Sequence, residues 1–291
     1  MFLFPFLSRT NNDLRNFNRN FNNLYESNHQ KIINHRIKRR NNLSSALSKN
    51  KPLNSLLPSQ YFIIQFKQYS GNATPTPYSL QDKVKLFELV SSTLGIKGIQ
   101  IGSHFESLSS QTDNTNIIDL TIGSAFPSLL SPVSFKDQLL VSSRAKCAFI
   151  NASGCESIFA TMEIPYVYYG SWHLLMNCIS SQAINVPTLI YNKHTNTFLN
   201  LKDQLFVHNS IADTSGHDPT LLDPHLHFLI PTLDEILEAY QLVTYGSEFL
   251  QKLKYDQELF LKNYLCDSDL SHSYSMGMPM LPSKFSILTS L

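Results

Sequence analysis

The 291-residue sequence has few cysteines and lacks a long apolar segment. Its four cysteines are Cys147, Cys155, Cys178 and Cys266. They are widely spaced and form no C-x-x-C pair, which favours a reducing, intracellular compartment over a disulfide-linked fold. No apolar run approaches the roughly 18 residues that a membrane-spanning helix needs. The apolar segment MFLFPFL at residues 1–7 has no basic segment before it, so we expect no signal peptide and a cytoplasmic location.

The common phosphate-binding and hydrolase motifs are also missing. The sequence contains no Walker-type loop and no G-x-G-x-x-G, so neither a P-loop nor the usual dinucleotide fingerprint is predicted. Ser153 follows Asn151 and Ala152, without the glycine two residues earlier that a G-x-S-x-G elbow requires. A serine hydrolase is therefore not expected.

One group of histidines and aspartates has the residue types of a metal site. The group is formed by His217, Asp218, Asp223, His225 and His227, which lie between proline-marked turns. A metal site needs ligands of fixed geometry and partners that orient them. The pattern favours a polar surface loop, and we expect no metal.

Charge is divided unevenly along the chain although the totals, 23 Lys+Arg and 22 Asp+Glu, nearly cancel. Residues 1–51 carry ten basic and two acidic side chains, a balance of +8, and the remaining residues carry a balance of −7. Such asymmetry indicates a basic segment attached to an acidic body, and no nucleic-acid partner is expected.

The basic segment, residues 1–60, is rich in asparagine, which favours turns over regular structure. We predict it to be disordered or partly helical, with one short helix around Ile32, Ile33 and Ile37. Three interpretations stay open: a solvated tail, a surface helix that contacts anionic lipid, and an organelle transit peptide. Peripheral membrane contact is thus one expectation for this segment.

From residue 61 onward, apolar runs typical of buried strands alternate with segments of helical spacing. Ser79 is a natural N-cap and Gly95 a natural end for a helix over 79–94, and Thr232 with Glu235 forms a capping box. The predicted strands are 61–67, 99–101, 117–122, 147–150, 166–169 and 186–191, and the other predicted helices are 134–144, 155–162, 233–243 and 246–264. This alternation predicts an α/β fold, a doubly wound, mostly parallel Rossmann-like sheet over 61–291. The stretch 276–291 is predicted to be irregular.

The segment 151–157 joins a predicted strand directly to a predicted helix. Small residues at the carboxyl end of a strand let backbone approach a ligand closely, and the N–H groups that begin a helix favour an anion. Ligands of open α/β sheets bind outside these strand ends. One interpretation is a phosphate near Ser153, Gly154, Cys155 and Ser157, and the other is a tight turn in which Ser153 caps the helix.

The stretch 146–170, KCAFINASGCESIFATMEIPYVYYG, resembles the C-terminal half of GT-B glycosyltransferases. The shared pattern is a strand, a small-Ser-Gly turn, a helix, Ile-Pro and a strand ending in glycine. Heptosyltransferases and the bacterial polysaccharide glycosyltransferases related to them show it. The segments DQLLVSSRAKCAF at 137–149 and LPSKFSILTSL at 281–291 are similar to segments of these families as well. The resemblance covers about residues 61–291 and is densest over 134–170.

The resemblance implies a glycosyltransferase that moves a sugar from a nucleotide-sugar donor to a glycan or lipid-linked acceptor, with no cofactor. Glu156 would bind a ribose or sugar hydroxyl, although a carboxylate there also complements the helix dipole. Lys67, at the end of the first strand, matches an arginine of relatives that faces the phosphates, or is a solvated lysine. The implied donor-binding residues are Lys67, Gly102, His104, Ser153, Gly154, Cys155 and Ser157, and the implied catalytic residues are Glu156 and His173.

His104 and His173 each follow a predicted strand, so both are expected on the same rim of the sheet. There they would act as acid–base groups or phosphate donors, or else be exposed loop histidines. Two alternative functions stay open, a non-catalytic nucleotide-sugar-binding module and a sugar-nucleotide epimerase, whose S-G-x-E turn is similar. Residues 1–60 are too few for a second GT-B half, so a reduced acceptor domain, a truncated chain or a lost activity is expected.

Overall fold

The computed structural model describes residues 28–66, 78–103, 108, 117–152, 155–171, 180–212, 220, 222–265 and 276–290. The helices of this part are α1 (His29–Lys49), α2 (Lys51–Ser55), α3 (Leu80–Leu94), α4 (Phe135–Ser142), α5 (Glu156–Ala160), α6 (Leu201–Ala212), α7 (Leu233–Thr244), α8 (Ser247–Tyr264) and α9 (Pro282–Thr289). The strands are β1 (Tyr61–Gln65), β2 (Lys97–Ile101), β3 (Ile117–Asp119), β4 (Ala148–Asn151), β5 (Tyr166–Tyr169), β6 (Ala183–Val186), β7 (Leu189–Asn192), β8 (Thr197–Phe198) and β9 (Leu226–Leu229).

Six strands form a parallel sheet in the order β3-β2-β1-β4-β5-β6. Every neighbouring pair in it is parallel, for example Ile63 beside Ile99 in β2 and beside Ala148 in β4. Strands β1, β4, β5 and β6 are buried at every residue, as a sheet covered on both faces requires. The prediction of a doubly wound α/β fold is confirmed.

Alternate residues of the strands face two separate cores. Ile63 packs in the core that includes Leu47 of α1 and Val141 of α4. Its neighbour Phe62 packs in the other core, with Phe87 of α3, where the two ring centroids lie 5.3 Å apart. Because successive side chains of a strand point to opposite faces, each face of the sheet needs its own layer of helices.

The helix ends follow the local signals in the sequence. Ser79 accepts a hydrogen bond from the Asp82 N–H, and Gly95 ends α3 with a φ of +63°. The capping box of Thr232 and Glu235 begins α7, and Ser134 caps α4 in the same way. The predictions for Ser79, Gly95 and the Thr232 capping box are confirmed, because a cap is a local arrangement that needs only a few consecutive residues.

The predicted strand 186–191 is wrong, because the chain changes sheet within it. Strand β6 ends at Val186 in the parallel sheet, and β7 begins at Leu189 in a separate antiparallel sheet of order β8-β7-β9. Pro187 stands between them. Proline has no N–H to give to a sheet, so regular pairing ends at Val186, and one further backbone bond joins the Thr188 N–H to the Ser171 carbonyl at 2.8 Å.

The prediction that 276–291 is irregular is also wrong, since α9 occupies Pro282–Thr289. Pro282 stands in the first turn, where its fixed φ suits a helix and its missing N–H costs nothing. The segment before α9 is held by Gln257, whose Nε2 donates to the Met280 carbonyl at 2.7 Å and whose Oε1 accepts from the Met280 N–H at 2.8 Å.

Within the basic segment, the described residues form helices over His29–Lys49 and Lys51–Ser55 and pack on the α/β body. Arg40 of α1 donates from Nε to the Ser143 carbonyl at 3.0 Å and from Nη2 to the Ala145 carbonyl at 3.3 Å. Residues 1–27 lie outside the described part, and the domain division at residue 60 stays a prediction. Among the described helices, none combines the length and apolarity needed to cross a membrane.

Candidate functional site

The candidate site is the edge of the parallel sheet where its strands end. The order β3-β2-β1-β4-β5-β6 means that the chain builds the sheet outward in one direction from β1 and then in the other. The crossovers therefore diverge between β1 and β4, and this switch point is where open α/β sheets bind ligands. Gln65 ends β1 and Asn151 ends β4, so these two residues mark the switch point.

The end of β4 is joined to the end of β5 by close backbone packing. The Ala152 N–H donates to the Tyr169 carbonyl at 2.9 Å, and Nδ2 of Asn151 donates to the same carbonyl at 3.2 Å. Ala152 has a φ of +23°, a value that L-residues rarely adopt. Such conformations persist where the surrounding structure holds them, and they cluster at functional sites.

Gly170 follows β5 and has no space for a side chain. Its φ is +75°, and a Cβ built on it would lie 2.6 Å from Nδ2 of Asn151. The glycine that ends the resembling motif is therefore needed here for packing against Asn151.

On the other side of β1, Gln138 of α4 holds the ends of two strands. Its Nε2 donates to the carbonyls of Gly102 and Leu120, each at 2.8 Å. Gly102, a predicted donor-binding residue, has a φ of +123° and directly follows β2. Gln138 is 1% exposed, and sequence reasoning did not single it out. A buried glutamine in the middle of a helix looks like any solvated one in a single sequence.

Lys83 of α3 is a second residue that sequence reasoning missed. It is 8% exposed, and its Nζ lies 5.6 Å from the ring centroid of Phe66, which directly follows β1. A cation over an aromatic face is attracted by the ring quadrupole. The arrangement places a buried positive charge next to the switch point.

Helix α5 follows the end of β4, and it contains two predicted site residues and has a third as its N-cap. It begins at Glu156, its N-cap residue is Cys155, and no side chain caps it. This differs from the interpretation in which Ser153 is the N-cap. Glu156 is half-buried, and Ser157 is exposed.

The predicted site residues therefore fall into three groups. Cys155, Glu156 and Ser157 stand together at the start of α5, on the β4 side of the switch point. Gly102 follows β2, which is separated from β4 by β1, so these two strands lie about 10 Å apart. The remaining ones, Lys67, His104, Ser153, Gly154 and His173, lie outside the described residues.

The thiol of Cys147 lies away from this edge, just before the start of β4. Burial raises its pKa to about 12, against a smaller opposing effect of a hydrogen bond with Tyr240. Burial also raises the pKa of Tyr240 above its ordinary value. Both groups therefore stay protonated at neutral pH, and Cys147 is a core residue rather than a nucleophile.

The histidine group splits between described and undescribed residues. His217 and Asp218 lie outside the described part, and His227 stands on β9. The His225 N–H donates to Asp223 Oδ1 at 2.8 Å, and the His225 ring lies 5.3 Å from that of His194. Among the described residues, no three His, Cys, Asp or Glu side chains form a cluster that could hold a metal ion.

Taken together, the sheet order and its edge define a doubly wound α/β protein with a Rossmann-like parallel sheet. No protein-family model matches the chain, and no curated protein matches it. Among solved structures, it is similar to the glycosyl transferase family 9 protein from Veillonella parvula DSM 2008, with 10% sequence identity and a TM-score of 0.41. The match covers 69% of this chain and 51% of that chain, about half of its length.

Proposed function

We propose that this chain is a glycosyltransferase that takes a sugar from a nucleotide-sugar donor and adds it to a glycan or lipid-linked acceptor. The observation that carries the proposal is the position of the Asn151–Ala152 turn. This turn ends β4 at the switch point of the sheet, and its backbone has the rare positive φ at Ala152. The GT-B-like motif of the sequence occupies the same turn.

The donor diphosphate in this proposal lies against residues 153–157, beyond the end of β4. Ser153, Gly154 and Cys155 contribute backbone N–H groups, and Ser157 is exposed where its hydroxyl can reach a phosphate oxygen. Lys83, buried beside Phe66 at the end of β1, and Lys67 add positive charge. These groups stabilise the negative charge that develops on the departing diphosphate.

In the transfer itself, the acceptor hydroxyl attacks the anomeric carbon of the donor sugar. The bond between that carbon and the diphosphate oxygen breaks, and the diphosphate leaves with the bonding electrons. Glu156 binds a hydroxyl of the donor, and His173 accepts the proton of the acceptor hydroxyl. Gly102 lies on the β2 side of the same edge, and in this proposal His104 contributes to donor binding there.

A pair of serine substitutions tests the donor site. Ser157 is the second residue of α5 and Ser283 is the second residue of α9, and both are exposed. An aspartate at either position suits the start of a helix, so both variants should fold. Ser157→Asp places a negative charge where the diphosphate is proposed to lie, whereas Ser283→Asp adds the same charge elsewhere.

Thermal melting with millimolar nucleotide sugars and nucleoside diphosphates gives the measurement. A ligand at about 100 times its Kd stabilises the folded state by about 2.7 kcal/mol, which raises the Tm by several degrees. We expect this rise for the wild type and Ser283→Asp, and its loss in Ser157→Asp. No stabilisation of the wild type by any nucleotide sugar means that the donor-site proposal is wrong.

A second candidate is a module that binds a nucleotide sugar without transferring the sugar. It is favoured by one observation: the described residues contain a single parallel sheet. The two candidates differ in turnover, so the assay is release of the nucleoside diphosphate with and without a mixture of glycan acceptors. Acceptor-dependent release supports transfer, and binding with no release supports the module. Release without any acceptor favours an epimerase that also hydrolyses its donor.

A further inference from the structure

Helix α1 divides its basic side chains between two faces. Arg36 and Arg40 face the α/β body, where Arg36 forms an ion pair with Glu163 and Arg40 donates to the Ser143 and Ala145 carbonyls. These two arginines hold the helix in place and are not available to a partner. The sequence of α1, HQKIINHRIKRRNNLSSALSK, contains no acidic residue.

The opposite face of α1 carries Lys31, Lys38 and Lys49, all of them exposed. Lys38 and Lys49 follow Lys31 by seven and eighteen residues. At about 100° of rotation per residue, the three side chains lie within about 20° of one direction around the helix axis. The rise of about 1.5 Å per residue spreads them over about 27 Å. Within the described part of the chain, none of the three ammonium groups forms an ion pair.

Other cations extend this surface. Arg39 is exposed beside Lys38, and Lys51 is exposed just after α1. Arg144, also exposed, donates a hydrogen bond to Asn54 of α2. We call the surface formed by Lys31, Lys38 and Lys49 the basic face, and Arg39 and Lys51 are exposed cations near it. The basic face presents charge of one sign over the length of the helix.

We propose that the basic face binds an anionic membrane surface. An extended row of cations on a surface helix complements anionic lipid headgroups. Ile37 of the same helix is an aliphatic side chain that is 44% exposed, about 100° around the helix from Lys38. Helix α1 has no Phe, Tyr or Trp, the large aromatic side chains on which nucleic-acid bases most often stack.

A second part of the sequence also favours a membrane as the partner. The apolar segment MFLFPFL at residues 1–7 stands ahead of α1 in the chain, and three arginines lie between them. Stable attachment to a membrane generally takes two signals, for example an apolar anchor together with a polybasic patch. A polybasic helix and an apolar segment in one chain supply both.

The orientation of α1 leaves the candidate functional site accessible. Arg40 contacts the carbonyls of Ser143 and Ala145, which precede β4 and so lie toward the amino end of that strand. The candidate site is at the carboxyl end of the same strand. A membrane bound at the basic face would therefore not cover the switch point. The inference does not depend on the proposed function.

Sedimentation of the full chain with lipid vesicles tests the proposal. The probes are vesicles of phosphatidylcholine alone and vesicles that also contain phosphatidylserine. The test variant is Lys31→Gln/Lys38→Gln/Lys49→Gln. The matched control, Lys85→Gln/Lys193→Gln/Lys262→Gln, removes three exposed lysines from other elements and changes the net charge equally.

The wild type should bind the phosphatidylserine vesicles and not the neutral ones. Each cation near an anionic surface contributes about fivefold to partitioning, so the test variant should bind about a hundredfold more weakly. The control should keep most of the binding. Circular dichroism and thermal melting check that both variants are folded, and raising the salt concentration should release the wild type.

Three results would overturn the proposal. One is equal binding of the wild type to neutral and anionic vesicles. Another is equal loss of binding in the test and control variants, because only net charge would then matter. The third is binding to a DNA or RNA duplex that is tighter than binding to vesicles and is lost in the test variant, which would assign the basic face to nucleic acid.

Discussion

Arg36 and Glu163, 127 positions apart in the sequence, are joined by an ion pair of 2.6 Å between Nη1 and Oε1. The Glu163 side chain is 1% exposed, and its backbone has a φ of +50°. Ser181 donates from Oγ to the other carboxylate oxygen at 2.6 Å. The pair ties helix α1 to the turn between α5 and β5, so this part of the basic segment belongs to the packed structure.

Substitution of Arg36 by methionine should strongly destabilise the protein. It leaves the Glu163 carboxylate buried without this cation, and removing one partner of a buried pair costs about 3 kcal/mol or more. Urea denaturation measures the loss. Lys38→Met is the control, because Lys38 is exposed two residues later on the same helix and should change stability by less than about 0.5 kcal/mol.

The double variant Arg36→Met/Glu163→Gln should be more stable than the sum of the two single changes predicts. Neutralising both partners removes the buried charge instead of isolating it, so the coupling energy should be about 1–3 kcal/mol. A double-mutant cycle in urea gives this value. Strict additivity would show that the two side chains do not interact in solution.

Gly170→Ala should destabilise the protein more than Gly95→Ala does. Both glycines have positive φ, +75° and +63°, so each change carries a backbone cost of about 1–2 kcal/mol. A Cβ at Gly95 would have nothing within 4 Å, whereas one at Gly170 would lie 2.6 Å from Asn151 Nδ2. Thermal melting of the two variants separates the cost of the close contact with Asn151 from the cost of the positive φ. Equal losses would contradict the packing described at the candidate site.

Glu235 links the start of α7 to the C-terminal helix α9. Its Oε2 accepts from the Thr232 N–H at 2.7 Å, and its Oε1 lies 2.7 Å from Nζ of Lys284, whose side chain is 5% exposed. Glu235→Gln removes the negative charge beside a buried ammonium group and should cost about 2–4 kcal/mol. Glu238→Gln, one turn further on and exposed, should cost less than about 0.5 kcal/mol in the same urea titration.

Cys147 should contribute to alkaline unfolding. Burial raises its pKa from 9.0 to about 12, so above pH 9 the unfolded chain releases a proton that the folded chain keeps. The stabilisation is complete below pH 9 and decreases as the pH rises toward 12, by up to about 1.4 kcal/mol per pH unit. The free energy of unfolding should therefore fall less steeply for Cys147→Ala than for the wild type over this range.

The control for this experiment is Cys155→Ala. Cys155 is half-buried at the start of α5, so its replacement should leave the steep alkaline slope of the wild type. A Cys147→Ala variant with the wild-type slope would assign the alkaline transition to other groups. Tyr61 and Tyr240, whose pKa values burial also raises, would then be the remaining candidates.

Much of the parallel sheet was predictable because its signals are local. The apolar run that begins at Tyr61 and the caps at Ser79 and Thr232 each depend on a few consecutive residues. The antiparallel sheet was not predictable in the same way. Its strand β8 has only two residues, Thr197 and Phe198, and is defined by its pairing with β7 rather than by its own sequence.

The candidate site was predictable only in part. A strand followed by a small-residue turn places residues 151–157 at a strand end, and β4 does end at Asn151. Gln138 and Lys83 were not recognised, because a polar residue on a helix looks solvated until its neighbours are known. Their burial depends on Gly102 and Leu120 in one case and on Phe66 in the other.

Local sequence patterns by themselves determine the class of the fold. Apolar strands that alternate with capped helices have few ways to bury their apolar surfaces other than a parallel sheet covered by helices. The partners of individual polar groups depend on contacts that are distant in the chain. The charge imbalance of residues 1–51 could not show that Arg36 and Arg40 turn inward while Lys31, Lys38 and Lys49 stay exposed. That division exists only where α1 packs on Glu163 and the end of α4, because burial and pairing are properties of the folded chain.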